Sequence, residues 1–316
     1  MPALIATRFR ARLLALFPGQ RAQAQSAGTR ASAFRGRGLE FEEVRHYQAG
    51  DELRAIDWRV TARTGVAHTK LFREERERPV LLLVDLRARM GFGSVQRFKS
   101  VAATEAAALL AWATLHNGDR IGGFVFGTNG HQEIRPARSA GSVLRLLQTM
   151  HAECNELAQA AQGGRARQTT SAPGSLASML GELRRVARPG AGIFILSDFH
   201  DFNDDCAAQL HLLKRHCDVE AIRVLDPLEQ QLPDGGLLAF RAGNQRIMLD
   251  THQSVLRERF KNAHDKAQKN LLDAMAERRI ALHTLSTADD AESRLSSWFH
   301  PRATRAARAA QNTSAQ

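Results

Sequence analysis

The sequence predicts an α/β protein of the doubly wound class, built on a mostly parallel sheet. Three features of residues 79–226 predict it. Continuous apolar runs such as 79-PVLLLV-84 mark strands buried on both faces. Those runs alternate with helical periods of about 10–20 residues, the spacing of crossover connections. Two strands, ending LLLVD and FILSD, deliver Asp85 and Asp198 to their carboxyl ends, the edge where such sheets bind ligands.

The elements follow in order. Residues 94–115 have helical periodicity and are Ala-rich, 120–126 are an apolar strand and 132–135 a shorter one. Residues 139–154 predict a helix with Ser139 and Ser142 as candidate caps. A polar loop at 158–173 leads to a helix at 176–188, stopped by Pro189-Gly190. A buried strand at 193–196, a helix at 207–216 and a strand at 219–225 complete the alternation. Beyond Pro227, residues 237–242 and 245–249 flank Gly243-Asn244 and predict a hairpin. A long amphipathic helix at 251–279 carries Leu256, Phe260, Ala263, Ala267, Leu271 and Met275 on its apolar stripe. A last strand at 280–285 and a short helix at 291–298 close the body. No internal repeat is visible.

The chain has 316 residues, 43% of them hydrophobic, enough for a sizeable core. No stretch approaches the roughly 18 apolar residues of a membrane span. Arg8, Arg10 and Arg12 interrupt the apolar start, unlike a secretory signal, so the expected location is cytoplasmic. Cys154, Cys206 and Cys217 form no C-x-x-C pair and imply neither a disulfide framework nor a zinc site.

The net charge of +11 resides at the two ends. Residues 1–38 hold seven Arg and no acid, and residues 300–316 hold three Arg and no acid. The intervening 261 residues carry 34 basic and 33 acidic groups. A near-neutral body is weak ground for a nucleic-acid-binding fold. Residues 1–38 are expected to be a basic tail, with a short amphipathic helix at 2–17 that sets Ile5, Phe9, Leu13 and Leu16 on one face. The sharper alternative is that Arg8 through Phe17 dock on a partner or on anionic lipid, peripheral to the inner membrane. Residues 300–316 are expected to be a second disordered basic tail.

Residues 39–78 differ again, being dense in alternating charges and aromatics. Phe41, Val44, Tyr47, Leu53, Ile56 and Trp58 are the candidate apolar anchors of a β-rich flank, with a turn at Gln48-Ala49-Gly50-Asp51 and a strand at 67–73. The charged groups Asp51, Arg54, Asp57, Arg59 and Arg63 suit a local salt-bridge network better than catalysis.

The run GLEFEEVRHYQAGDELRAIDWRVTAR, followed by a strand ending D-x-x-x-x-M, resembles the bacterial domain-of-unknown-function family 58. Its most specific part is Tyr47-x-x-Gly50-Asp51-x-x-Arg54-x-x-Asp57-Trp58, continuing to Arg63. The resemblance implies a von Willebrand A-like domain at 79–299 with an inserted hairpin and helix at 228–279. It also implies a partnership with MoxR-type AAA+ ATPases and with other von Willebrand A-like proteins, and hence an adaptor rather than an enzyme.

Von Willebrand A domains hold a divalent metal with D-x-S-x-S, a Thr from a second loop and an Asp from a third. Here the first loop reads Asp85-Leu86-Arg87-Ala88-Arg89-Met90, then Gly91. Both serine positions are arginine. In the second loop, Ser171-Ala172-Pro173-Gly174-Ser175, Gly174 or Ser175 takes the Thr position, and Asp198 matches the third loop. Asp85 and Asp198 would suit Mg²⁺, but an arginine fork brings a permanent cation to the metal's place. The expectation is therefore a degenerate metal-adhesion edge without a cofactor. In it Arg87 or Arg89 pairs with Asp85 and Asp198, and the edge serves partner binding.

Enzyme signatures are absent. The chain has no G-x-S-x-G elbow, no G-x-x-x-x-G-K-[ST] loop and no G-x-G-x-x-G after a strand. Two alternatives stand beside the adaptor: nucleic-acid or anionic-membrane binding through the tails, and a metal-dependent hydrolase centred on Asp85, Asp198 and His200.

Overall fold

The computed structural model describes residues 1–17, 39–48, 51, 56–74, 77–127, 130–161, 174–242 and 245–299. The linker at 18–38, the loop at 162–173, the turn at Gly243-Asn244 and the tail at 300–316 lie outside them. Two units form: residues 18–77, and residues 1–17 together with 78–316.

In the larger unit, helix α1 (Pro2–Arg10) comes first. In the smaller, β1 (Leu39–His46), helix α2 (Trp58–Thr64) and β2 (His68–Glu74) follow. The main body then runs β3 (Pro79–Leu86), α3 (Lys99–His116), β4 (Arg120–Gly127), β5 (Gly130–Ala137), α4 (Ala140–Ala161) and α5 (Leu176–Val186). It continues β6 (Gly192–Ser197), α6 (Asp204–Lys214), β7 (Asp218–Leu225) and the single turn α7 (Pro227–Gln230). The hairpin β8 (Leu237–Ala242) and β9 (Gln245–Asp250), then α8 (Ser254–Glu277), β10 (Ala281–Ser286) and α9 (Ala291–Phe299), complete it.

The six-stranded sheet has the order β10-β7-β6-β3-β4-β5, parallel except for the antiparallel edge strand β5. The expected doubly wound, mostly parallel class is the observed one. The chain winds outward in one direction through β4 and β5 and in the other through β6, β7 and β10. The switch point therefore falls between β3 and β6, with Asp85 near the end of β3 and Asp198 directly after β6. Alternation along β3 splits the core. Val80, Leu82 and Val84 join the cluster under α3, α4 and α9, while Leu81 and Leu83 join the one under α5, α6 and the end of α8.

Three boundaries differ from expectation for physical reasons. Helix α3 begins at Lys99 rather than Ser94, because the Ser94 amide and hydroxyl both donate to Asp226 and hold residues 92–98 as a loop. Helix α8 is the crossover from β7 to its parallel neighbour β10, so only the hairpin is an insertion. Of its expected stripe, only Leu271 and Met275 are buried, while Ala263 and Ala267 face solvent.

The largest correction is at the N-terminus. Residues 1–17 are packed rather than a free tail. Helix α3 is apolar all round and buried from Ala102 to Thr114, Glu105 excepted, and so needs cover on its outer side. Ala11, Leu14 and Leu16 join the same core cluster. The Trp112 Nε1–H donates to the Leu4 carbonyl at 3.4 Å, and the Ala15 amide donates to Phe299 at 2.8 Å. The Phe17 ring lies 4.7 Å from that of Phe194, with the Arg78 guanidinium 4.2 Å above it. No helix among the described residues is long and apolar enough to cross a membrane.

β4 crosses the sheet centre with Gly122-Gly123. A Cβ on Gly123 would stand 2.0 Å from the Leu82 carbonyl oxygen of β3, and its φ is +154°. Substitution of Gly123 by alanine is therefore expected to cost about 2–3 kcal/mol. The loss would appear as a lower denaturant midpoint, and a wild-type midpoint would contradict it.

In the smaller unit, β1 and β2 pair antiparallel with a bulge between Phe41 and Glu43. Asp57 caps α2 by accepting from the Arg59 and Val60 amides, and Gly65 closes the helix in a left-handed turn. Trp58, expected as an anchor, is 69% exposed, because it occupies the first turn of a helix that buries no residue.

Candidate functional site

The carboxyl ends of β3, β6 and β7 each release a buried aspartate: Asp85, Asp198 and Asp226. A buried carboxylate needs several donors, and each finds a different set.

Asp85 is met mainly by its own loop. Its Oδ1 accepts from the Arg87 backbone amide and from Arg87 Nε, both at 3.0 Å. Its Oδ2 accepts from the second fork nitrogen of Arg87 at 2.7 Å and from Ser197 Oγ at 2.7 Å. The guanidinium extends on to Asp201, with bonds of 2.6 and 2.8 Å, and stacks 4.8 Å from the Phe126 ring. Arg87 thus joins two carboxylates in bidentate fashion. Burial alone would depress its guanidinium, but the bonds to Asp201 and Asp85 outweigh this and raise it. Burial would likewise raise the Asp201 carboxyl, yet Arg87 and the Leu176 amide at the start of α5 lower it to about 2.

Asp198 faces the other way. Lys99 is 0% exposed, and its ammonium donates to Asp198 Oδ2 at 2.9 Å and to Glu229 Oε1 at 2.8 Å. The Asp198 Oδ1 accepts from the His200 amide at 3.1 Å. Burial would raise this carboxyl, and Lys99, the His200 amide and Arg89 together hold it below the usual range. Phe199 makes this divergence feasible. Its φ of +53° turns the chain sharply after Asp198, so that Asp201 returns towards Arg87.

Asp226 and Glu229 form a capping box on α7, Asp226 accepting from Leu228 while Glu229 reaches back to the Asp226 amide. Asp226 also accepts from Ser94 and, at 2.6 Å, from Thr287. Glu229 thereby links the third strand end to Lys99.

Arg89 closes the edge from outside. It is 55% exposed on its side chain and lies 3.5 Å from Asp198 and 3.8 Å from Glu229. Burial and the charge of Arg89 lower the His200 imidazole below its usual value. Gly91 ends the 3₁₀ turn at residues 88–91, and a Cβ added there would meet Leu157 of α4 at ordinary contact distance.

Residues 43–270 match the family described as Protein of unknown function DUF58. The chain belongs to that family. The DUF58 chain is 33% identical over 228 residues to Uncharacterized protein Rv1480 of Mycobacterium tuberculosis and equally to Uncharacterized protein Mb1516 of Mycobacterium bovis. That match covers 71% of this chain and 64% of each relative, so the chain spans less than two thirds of their length. Among solved structures, the DUF58 chain is similar to BatB from Bacteroides thetaiotaomicron at 12% identity, covering 68% of this chain and 94% of that one, with a TM-score of 0.43. It is also similar to the SpRpn10 VWA domain at 14% identity, covering 71% and 95%, with a TM-score of 0.35.

In this DUF58 protein Asp85, Arg87, Arg89 and Asp198 meet at one edge. Arg87 joins Asp85 to Asp201, while Asp198 pairs with Lys99 at 2.9 Å and with Arg89 at 3.5 Å; Asp201 and Lys99 are the partners the sequence did not suggest. Ser175 is a helix cap, its Oγ accepting from the Ser178 amide at 3.1 Å. Among the flank's motif residues, Asp51 accepts from the Gln48 amide and from Arg45 at 2.7 Å, which lower its carboxyl. Asp57 caps α2, Tyr47 donates its amide to Ala67 at 2.9 Å, and Arg63 lies in the last turn of α2. Gly50 and Arg54 lie outside the described residues. Sequence reasoning missed Lys99, Asp201, Asp226 and Glu229. The last two carried a signal, since Asp226-Pro227-Leu228-Glu229 spells a capping box with proline at its first helical position.

Proposed function

We propose that this DUF58 protein is a non-catalytic interaction module, docking a partner on the carboxyl edge of its sheet. One observation carries the reading. The two oxygens of Asp85 accept four hydrogen bonds, from Arg87 three times and from Ser197 once. A carboxylate offers about four lone-pair sites, so Asp85 keeps none for a cation. Arg87 thus stands where a von Willebrand A-like domain would bind its metal, in what we read as a degenerate metal-adhesion edge. With Asp198 held by Lys99, a hydrolase centred on Asp85, Asp198 and His200 would have to break two ion pairs before acting.

The surface left for a partner is the exposed guanidinium of Arg89. The family resemblance points to a MoxR-type AAA+ ATPase as that partner, or to another von Willebrand A-like protein. Two measurements check this. Titration calorimetry with Mg²⁺ or Mn²⁺ is expected to give no binding heat, and micromolar binding lost on Asp85→Ala would overturn the reading. Arg89→Glu is expected to weaken binding of a purified MoxR-type ATPase roughly tenfold or more. Wild-type binding by that variant would remove the edge as the docking surface.

A further inference from the structure

The N-terminal segment presents a second surface, unrelated to the edge. Its inner side is occupied: Ala11, Leu14 and Leu16 are buried against the body, so they are unavailable to any partner. The outer side of α1 is apolar as well. Ile5 and Phe9, one turn apart on the same face, are 42% and 72% exposed. Ala6 beside them is exposed too, and Arg8, Arg10 and Arg12 flank the pair, all exposed. Arg10 is engaged by Glu292 at 3.3 Å, while the Arg8 guanidinium sits 5.4 Å over Trp112.

We infer that this face of α1 docks on the surface of an anionic lipid bilayer, with Ile5 and Phe9 entering the headgroup boundary. Charge complementarity selects the bilayer. Residues 1–17 carry Arg8, Arg10 and Arg12 and no acid, while residues 39–299 carry 34 basic and 33 acidic groups that nearly cancel. Cations bordering an apolar helix face suit an interface of negative headgroups. A second copy of the chain fits the face poorly, because a two-fold contact would bring together the bordering arginines of both copies with no acid of residues 1–17 between them. Packing of residues 11–17 on the body makes the face rigid, so docking orders no new helix.

Sedimentation of the full chain with vesicles tests this. Vesicles of phosphatidylcholine with about a third phosphatidylglycerol are expected to bind it, neutral vesicles are not, and salt is expected to release it. The double variant Ile5→Ser/Phe9→Ser is expected to lose roughly tenfold or more of that binding with an unchanged melting temperature. If the double variant melts early, Phe9→Ser alone is read, with the same expected direction. Equal binding to neutral vesicles, no binding at all, or full binding by the variant would each overturn the inference. A fall in oligomer mass on substitution, seen by light scattering without lipid, would overturn it in favour of self-association.

Discussion

Lys99→Met is expected to destabilise the protein by about 3–5 kcal/mol, seen as a lower denaturant midpoint at unchanged slope. The size follows from what is left behind. Methionine fills most of the lysine's volume, so little of the effect is a cavity. It removes the ammonium between Asp198 and Glu229, and Asp198 is buried. A carboxylate that loses its cation in low dielectric either stays charged at great cost or takes up a proton. The pH dependence separates this from a packing defect. In the wild type Asp198 titrates below its unfolded value. Its stabilisation is therefore complete above the unfolded pKa of about 4 and is lost as pH falls through the folded one. In the variant, protonation relieves the unpaired carboxylate, so the gap to wild type should narrow as pH drops below about 5. A gap independent of pH would show that Lys99 acts through packing.

Arg87→Ala is the second large effect, also about 3–5 kcal/mol by urea denaturation. It strips Asp85 of two of its four donors, leaving the backbone amide of residue 87 and Ser197, and strips Asp201 of both ion-pair bonds. With Arg87 present, Asp201 titrates at about 2. Its contribution is present above about pH 4 and falls away towards pH 2. The variant should lack that acid-dependent segment of the stability curve. Arg87→Lys should recover only part of the loss, because one ammonium cannot meet two carboxylates in bidentate fashion. Full rescue by lysine would show that charge alone, without the fork, holds the loop.

Much of the fold was legible because its signals are local. The run 79-PVLLLV-84 could only be a strand buried on both faces, and Asp85 after it had to reach the carboxyl edge. What escaped was pairing across distance. Lys99 opens an apolar helix, and nothing nearby shows that its ammonium meets a carboxylate 99 residues away. Nothing in composition marks Asp201 as an ion-pair partner, because the sharp turn at Phe199 that brings it back towards Arg87 leaves no trace there. Residues 1–17 read as a tail because arginine spacing resembles a solvated helix. The contrary signal lay elsewhere, in a helix at 102–113 with no polar side of its own. Trp58 failed in reverse, since an aromatic in a short helix need not be covered.

The meeting of Phe17 and Arg78 at 4.2 Å has a consequence for the architecture. These are the last body residue before the smaller unit and the first one after it. Residues 18–77 are therefore, in sequence, an insertion between two body residues whose side chains touch. Replacing the insertion by a linker would keep the body's chain path, at a closure cost that grows only slowly with linker length. Conversely, cutting away the first 17 residues would do more than shorten an end. It would uncover α3 and remove the Phe17 ring that packs on Phe194 and Arg78.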